Sequence, residues 1–172
     1  RVFAYNQHAA VVSAEGHVYT WGSGGNGRLG HGDEENQDRF KLVEALRNKK
    51  IVDVDMGDSH TVFITSGGHV YSCGASDDGR LMLGENQPHS TPTLSTAISE
   101  HAIYATCGCF HSYVLCGTSS IVHPGVKRFI SLLCDSQDSP IQIGQYTVSI
   151  NPHSLLATGL YPGDIVKTQE FT

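Results

Sequence analysis

An all-β fold is predicted: an incomplete β-propeller of two blades plus part of a third, followed by a small α+β or irregular segment. Three observations in the 172-residue sequence predict it. A glycine-punctuated stretch recurs without a gap at an offset of 52 residues. Inside each copy, short β-rich runs are separated by turn residues. Nineteen glycines favour a turn-rich β protein. Aligning His8–Gly32 with His60–Gly84, ten of twenty-five positions are identical: His8/His60, Gly16/Gly68, His17/His69, Val18/Val70, Tyr19/Tyr71, Gly22/Gly74, Gly27/Gly79, Arg28/Arg80, Leu29/Leu81 and Gly32/Gly84. A third copy starts 51 residues later, where Gly57-Asp58-Ser59-His60-Thr61-Val62 returns as Gly108-Cys109-Phe110-His111-Ser112-Tyr113, and then stops.

Each part of the period has a local reason. Ile51–Met56 alternates and is β-rich. Thr61–Thr65 is a short apolar run, Ser66-Gly67-Gly68 a turn, and His69–Cys73 a further strand, so the unit is a meander with a tight hairpin. Gly22 and Gly74 end that strand where a Cβ would clash. In Gly27-Arg28-Leu29 and Gly79-Arg80-Leu81 one apolar side chain pins a loop to the core. About twenty less regular residues follow before the next strand. One meander per period reads as one propeller blade.

The run from His8 through Tyr19-Thr20-Trp21-Gly22 to Gly27-Arg28-Leu29-Gly30 resembles the repeat of the regulator of chromosome condensation family. That family's pattern is a Gly-x-x-His strand, a hairpin, a Tyr-x-Trp-Gly strand and a Gly-x-Leu-Gly loop. The resemblance covers residues 2–116. The second copy departs from it at Cys73, in place of the Trp, and at Met82, in place of the Gly, which suggests drift in packing. The resemblance implies a seven-bladed propeller, about 360 residues at this period. Two blades alone would leave open sheet edges. The rest of the propeller is therefore expected from missing parts of the same chain, and a start at Arg1 with no initiator Met also reads as a piece of something longer. His8, His60 and His111 occupy one repeat position, which the resemblance makes structural: a ring inside the blade, hydrogen-bonded to backbone.

Two domains follow: propeller repeats over 1–116 and an unassigned segment over 117–172. In the second, Gly117–Ser120 reads as a linker and Val126, Phe129, Ile130 and Leu133 share a helix face. Asp135–Pro140 reads as a loop and Ile141–Ile150 as one strand, bulged at Gly144. Asn151-Pro152 would start a short helix that Gly159 stops, and Pro162-Gly163-Asp164 would turn into a last strand, Ile165–Phe171.

The net charge of −6 speaks against nucleic acid as a partner. Basic residues gather at Arg39, Lys41, Arg47, Lys49 and Lys50, interrupted by Glu44; they are candidate partner contacts. Five cysteines (Cys73, Cys107, Cys109, Cys116, Cys134) form no zinc spacing. Their odd number, with no signal peptide, argues for a reducing intracellular compartment, cytoplasmic or nuclear, with cilium or cytoskeleton as settings, and for buried thiols. No apolar run is long enough to insert in a membrane. No cofactor or metal is expected. No phosphate loop or nucleophile elbow is present. Asp53 and Asp55 share a strand face, read as the solvated one, so catalysis is not expected.

The repeat positions His8, Gly16, Tyr19, Trp21, Gly22, Gly27, Leu29, His60, Gly68, Tyr71, Gly74, Gly79, Leu81 and His111 are thus read as structural. The function expected is a protein-interaction module, a propeller segment of a larger scaffold, ubiquitin-ligase, ciliary or signalling protein, that binds protein partners through loops such as Ser23–Gly27 and Ser76–Gly79. The alternative is guanine-nucleotide exchange on a small GTPase, which acts by differential binding; neither repeat shows the long insertion that would serve as a wedge. Chromatin binding would need a basic face.

Overall fold

The computed structural model describes residues 1–117 and the backbone of two later strands, Ile141–Ile143 and Tyr146–Ile150. The helix over 126–133, the loop over 135–140, the helix starting at Asn151 and the strand Ile165–Phe171 lie outside the described residues, as does Cys134.

Among the described residues the architecture is all-β: three four-stranded antiparallel sheets. Blade one is β1 (Val2–Tyr5), β2 (His8–Val12), β3 (Val18–Gly22) and β4 (Gln37–Leu42), in that order across the sheet. Blade two repeats it as β5 (Ile51–Met56), β6 (His60–Thr65), β7 (Val70–Gly74) and β8 (His89–Leu94). Blade three has β9 (Ala102–Cys107) and β10 (Ser112–Cys116), then the strands β11 (Ile141–Ile143) and β12 (Tyr146–Ile150), in the order β11-β12-β10-β9.

The structure corrects the expected strands in two places. The "less regular" third of each repeat holds a fourth strand, β4 or β8, at the outer edge of its blade. Its pattern is hidden because β4 is exposed along most of its length and β8 carries Pro92, a residue confined to sheet edges. The single strand expected over 141–150 is instead a pair of antiparallel strands in register Ile143↔Tyr146.

Alternation along the strands sorts the side chains between neighbouring blades. Ala10, Val12 and Val18 of blade one pack with Val54, Met56, Phe63 and Cys73 of blade two. The other face of blade two, Val62, Ile64 and Val70, packs with Ala102, Ala105, Val114 and Cys116 of blade three. Phe63 is fully buried; fully burying such a side chain contributes roughly 1.5–3 kcal/mol. The opposite face of blade one carries Val11, Tyr19 and Trp21, which are half-buried, with Phe40 and Val2 exposed at 69% and 72%.

The two departures from the repeat pattern have distinct consequences. Cys73 is wholly buried, and burial pushes its thiol well above the usual range. Met82 takes φ +56 where Gly30 has φ +79, a left-handed backbone that costs a residue with a Cβ about 1–2 kcal/mol.

Candidate functional site

The repeat residues form the joints between blades. His8 and His60 are buried in β2 and β6. Each reaches a hydroxyl of the next blade, His8 Nε2 to Thr61 Oγ1 at 3.0 Å and His60 Nε2 to Ser112 Oγ at 2.8 Å. Thr61 donates its hydroxyl hydrogen to the Arg28 carbonyl at 2.7 Å. His8 Nε2 is therefore the donor to Thr61, which assigns the tautomer from the network. These rings bridge blades through hydroxyls, where the resemblance implied a ring inside the blade bonded to backbone. Burial first, then the nearby Arg28 charge, holds His8 at a pKa of about 4. Burial, then Arg80, holds His60 at about 3. Both are neutral structural groups. The preceding glycine belongs to the same device: a Cβ on Gly57 would collide with the His60 ring, and one on Gly108 with that of His111.

The glycine-rich loops are a second joint. Leu29 and Leu81 are 1% exposed, anchoring each loop as expected. Thr20 and Ser72, one strand in, donate to the Leu29 and Leu81 carbonyls at 2.7 and 2.6 Å. Arg28 donates through Nε to Gly25 O at 2.8 Å and through Nη1 to Asp58 O of the next blade at 2.8 Å. Arg80 donates to Asp77 O at 2.8 Å and lies 5.1 Å from the centre of the Phe110 ring, again in the next blade. Gly27 and Gly30 let this loop approach β8: a Cβ on either would meet Ser90 or Pro92.

A third joint overturns the solvated reading of Asp53 and Asp55. Asp53 is 3% exposed. Its carboxylate takes the Arg1 guanidinium at 2.8 Å and the Ala105 N–H at 3.2 Å. Asp55 accepts the Cys107 N–H at 2.7 Å. Two carboxylates of β5 therefore satisfy amides of β9, the first strand of the next blade. Burial raises the Asp55 carboxyl, partly offset by the Cys107 amide.

The loops at the β1–β2, β3–β4, β5–β6, β7–β8 and β9–β10 connections lie at one end of the blades. Their charge is acidic: Asp33, Glu34, Glu35, Asp58, Asp77, Asp78 and Glu85 against the largely buried Arg28 and Arg80. Here Asn6 Nδ2 donates to Asp58 Oδ1 at 2.5 Å, and Tyr5 Oη lies 2.9 Å from Cys109 Sγ. Cys109 is exposed and Cys107 half-buried, so among the described cysteines the expectation of buried thiols holds for Cys73 and Cys116. The basic residues divide between a strand and the connection that follows it. Arg39 and Lys41 stand on β4, with Lys41 4.0 Å from Asp33. Arg47, Lys49 and Lys50 lie on the β4–β5 connection at the other end. There Glu44 holds Arg47 in two bonds of 2.7 Å, and Lys49 Nζ sits 5.3 Å from the centre of the Tyr71 ring. Sequence adjacency could not show this split, because the chain crosses from the outer strand of one blade to the inner strand of the next within that run.

Among the described residues no three His, Cys, Asp or Glu side chains are grouped to hold a metal ion, and no helix is long and apolar enough to cross a membrane.

Known proteins carry this repeat. The regulator of chromosome condensation (RCC1) repeat matches residues 15–64 and 67–115, and a second description of the same repeat matches 1–28 and 51–80. The human E3 ubiquitin-protein ligase HERC2 is 36% identical over 62% of this chain and 2% of its own. The zebrafish (Danio rerio) serine/threonine-protein kinase Nek8 is 36% identical over 72% of this chain and 18% of its own. The crystal structure of Prp20p from Saccharomyces cerevisiae, titled with its binding properties to Gsp1p and histones, superimposes with a TM-score of 0.59 at 18% identity over 77% of this chain and 34% of that one. The chain thus spans a minor share of each. With the same repeat matched twice and the same joints built twice, the chain belongs to the regulator of chromosome condensation (RCC1) repeat family.

Proposed function

We propose that this chain is a protein-binding segment of a larger propeller, and that further blades of the same kind cover the open face of blade one. The observation that carries the proposal is the rigid presentation of loops at the acidic end. The exposed carboxylates of Asp77 and Asp78 stand 3.5 and 3.7 Å from Arg80, whose own side chain is 6% exposed and locked between blades. A loop anchored in this way loses little entropy on binding, which favours recognition by its rim. The relatives' differing named chemistries support a shared binding role for the repeats, and they support a scaffold or ubiquitin-ligase setting for the whole protein.

The test is charge reversal at each end, read as the amount of each partner co-purifying with the full-length protein. Asp77→Lys with Asp78→Lys should remove partners held at the acidic end. Lys49→Glu with Lys50→Glu should leave those in place. Equal recovery of every partner with both variants would sink the reading. Nucleotide release from purified small GTPases, measured beside it, separates the exchange-factor alternative: this reading expects no acceleration.

A further inference from the structure

We propose that the edge of β10 is a strand-acceptor site, filled in this chain by Tyr146–Ile150, which arrives from outside the repeat. In blades one and two the strands lie across the sheet in chain order, and the third strand follows the second through a tight turn, as in Ser13–His17. Blade three breaks that order. β12 lies against β10, and β11, earlier in the chain, lies outside it.

Both of those pairings are antiparallel, so β11 runs parallel to β10. A parallel connection needs a crossover of a dozen or more residues, and residues 118–140 stand between β10 and β11. In chain order the outermost strand, β11, therefore comes before β12, which takes the third place. A two-stranded hairpin is marginal by itself in water. The order of β11–β12 consequently depends on the edge of β10, where the register is Tyr113↔Ile150, Val114↔Ser149, Leu115↔Val148 and Cys116↔Thr147.

The acceptor side is rigid: Tyr113, Val114, Leu115 and Cys116 are each 0–1% exposed. Main-chain hydrogen bonds carry strand addition, and alternate side chains tune its selectivity. The incoming segment Tyr-Thr-Val-Ser-Ile lacks the Trp-Gly of β3 and shares with it the dipeptide Tyr-Thr and strand-forming chemistry. The ligand class is therefore an extended, antiparallel polypeptide strand rich in β-branched and aromatic residues.

Two experiments on the full chain test this. Thr147→Cys sets a thiol directly across from the native Cys116, and mild oxidation should join the two, read as one cross-linked peptide by mass spectrometry. Ser149→Cys, a diagonal neighbour roughly 7–8 Å away, is beyond disulfide reach of Cys116 and should not join it. No cross-link in the first variant, or equal cross-linking in both, overturns the proposal. The second uses Val148→Pro, which disrupts β12. A labelled peptide of residues 141–150 should then bind this variant saturably and on the order of tenfold tighter than it binds the unaltered chain. Hydrogen exchange at β5–β7 checks that the variant is folded. A folded variant that binds the peptide no better than the unaltered chain also overturns the proposal, and if it does not fold the cross-link decides.

Discussion

Acid should loosen this protein through His8 and His60, and the size of the effect follows from their burial. Both rings are neutral in the fold, at about 4 for His8 and about 3 for His60, against roughly 6.5 for a free imidazole. The unfolded chain binds protons first as pH falls, so stability is complete above about pH 6.5 and is lost progressively down to about 4 and 3. Between pH 7.5 and 5 each ring accounts for about 2 kcal/mol by linkage, about 4 kcal/mol for the pair. His31 and His111, also lowered by burial, act in the same direction. Asp55, raised by burial, acts the opposite way and only nearer the carboxylate range.

The perturbation is His60→Gln, whose amide can still hydrogen-bond Ser112 but does not titrate. Urea unfolding at fixed temperature should show the variant less stable than wild type at pH 7.5. Its further loss on going to pH 5 should be smaller than that of wild type by about 2 kcal/mol. Parallel pH curves for the two proteins would refute the assignment of a buried neutral ring at this joint.

Three further outcomes follow from the same joints. Leu81→Ala should cost about 2–5 kcal/mol in urea unfolding, because the side chain it empties is 1% exposed. Gly74→Ala should cost about 3 kcal/mol or more on the same assay, since the residue sits at φ +117 and the new Cβ would meet the Ser59 carbonyl. Asp55→Ala should cost about 1–3 kcal/mol by stranding the Cys107 amide, with faster hydrogen exchange at that amide as the local signature. By contrast Arg47→Ala, which breaks an exposed pair with Glu44, should leave the urea midpoint in place.

Legibility in the sequence tracked burial. β5, β6 and β7 could be read from alternation and glycine turns, because buried strands must repeat their apolar positions. β4 and β8 could not: Gln37-Asp-Arg-Phe-Lys-Leu carries no buried face in the described structure, and its pairing with β3 is set by hydrogen bonds that leave no compositional mark. Alternation puts Asp53 and Asp55 on one face but does not say which face is wet. The answer lies with the amides of β9, some fifty residues on. The histidine partners were hidden for the same reason, since Thr61 and Ser112 are ordinary strand residues until the next blade is in place. The signal that could have found them is the repeat itself: a hydroxyl residue directly follows both His60 and His111.

On the proposed function, these repeats are blades of a larger propeller whose open faces need further blades. The most direct test is gel filtration and thermal unfolding of residues 1–172 expressed alone, beside the natural protein. The isolated piece, with Val2 and Phe40 exposed, should aggregate or fail to melt cooperatively, while the natural protein should be monodisperse and cooperative. A folded, monomeric 172-residue piece with a cooperative transition would contradict it.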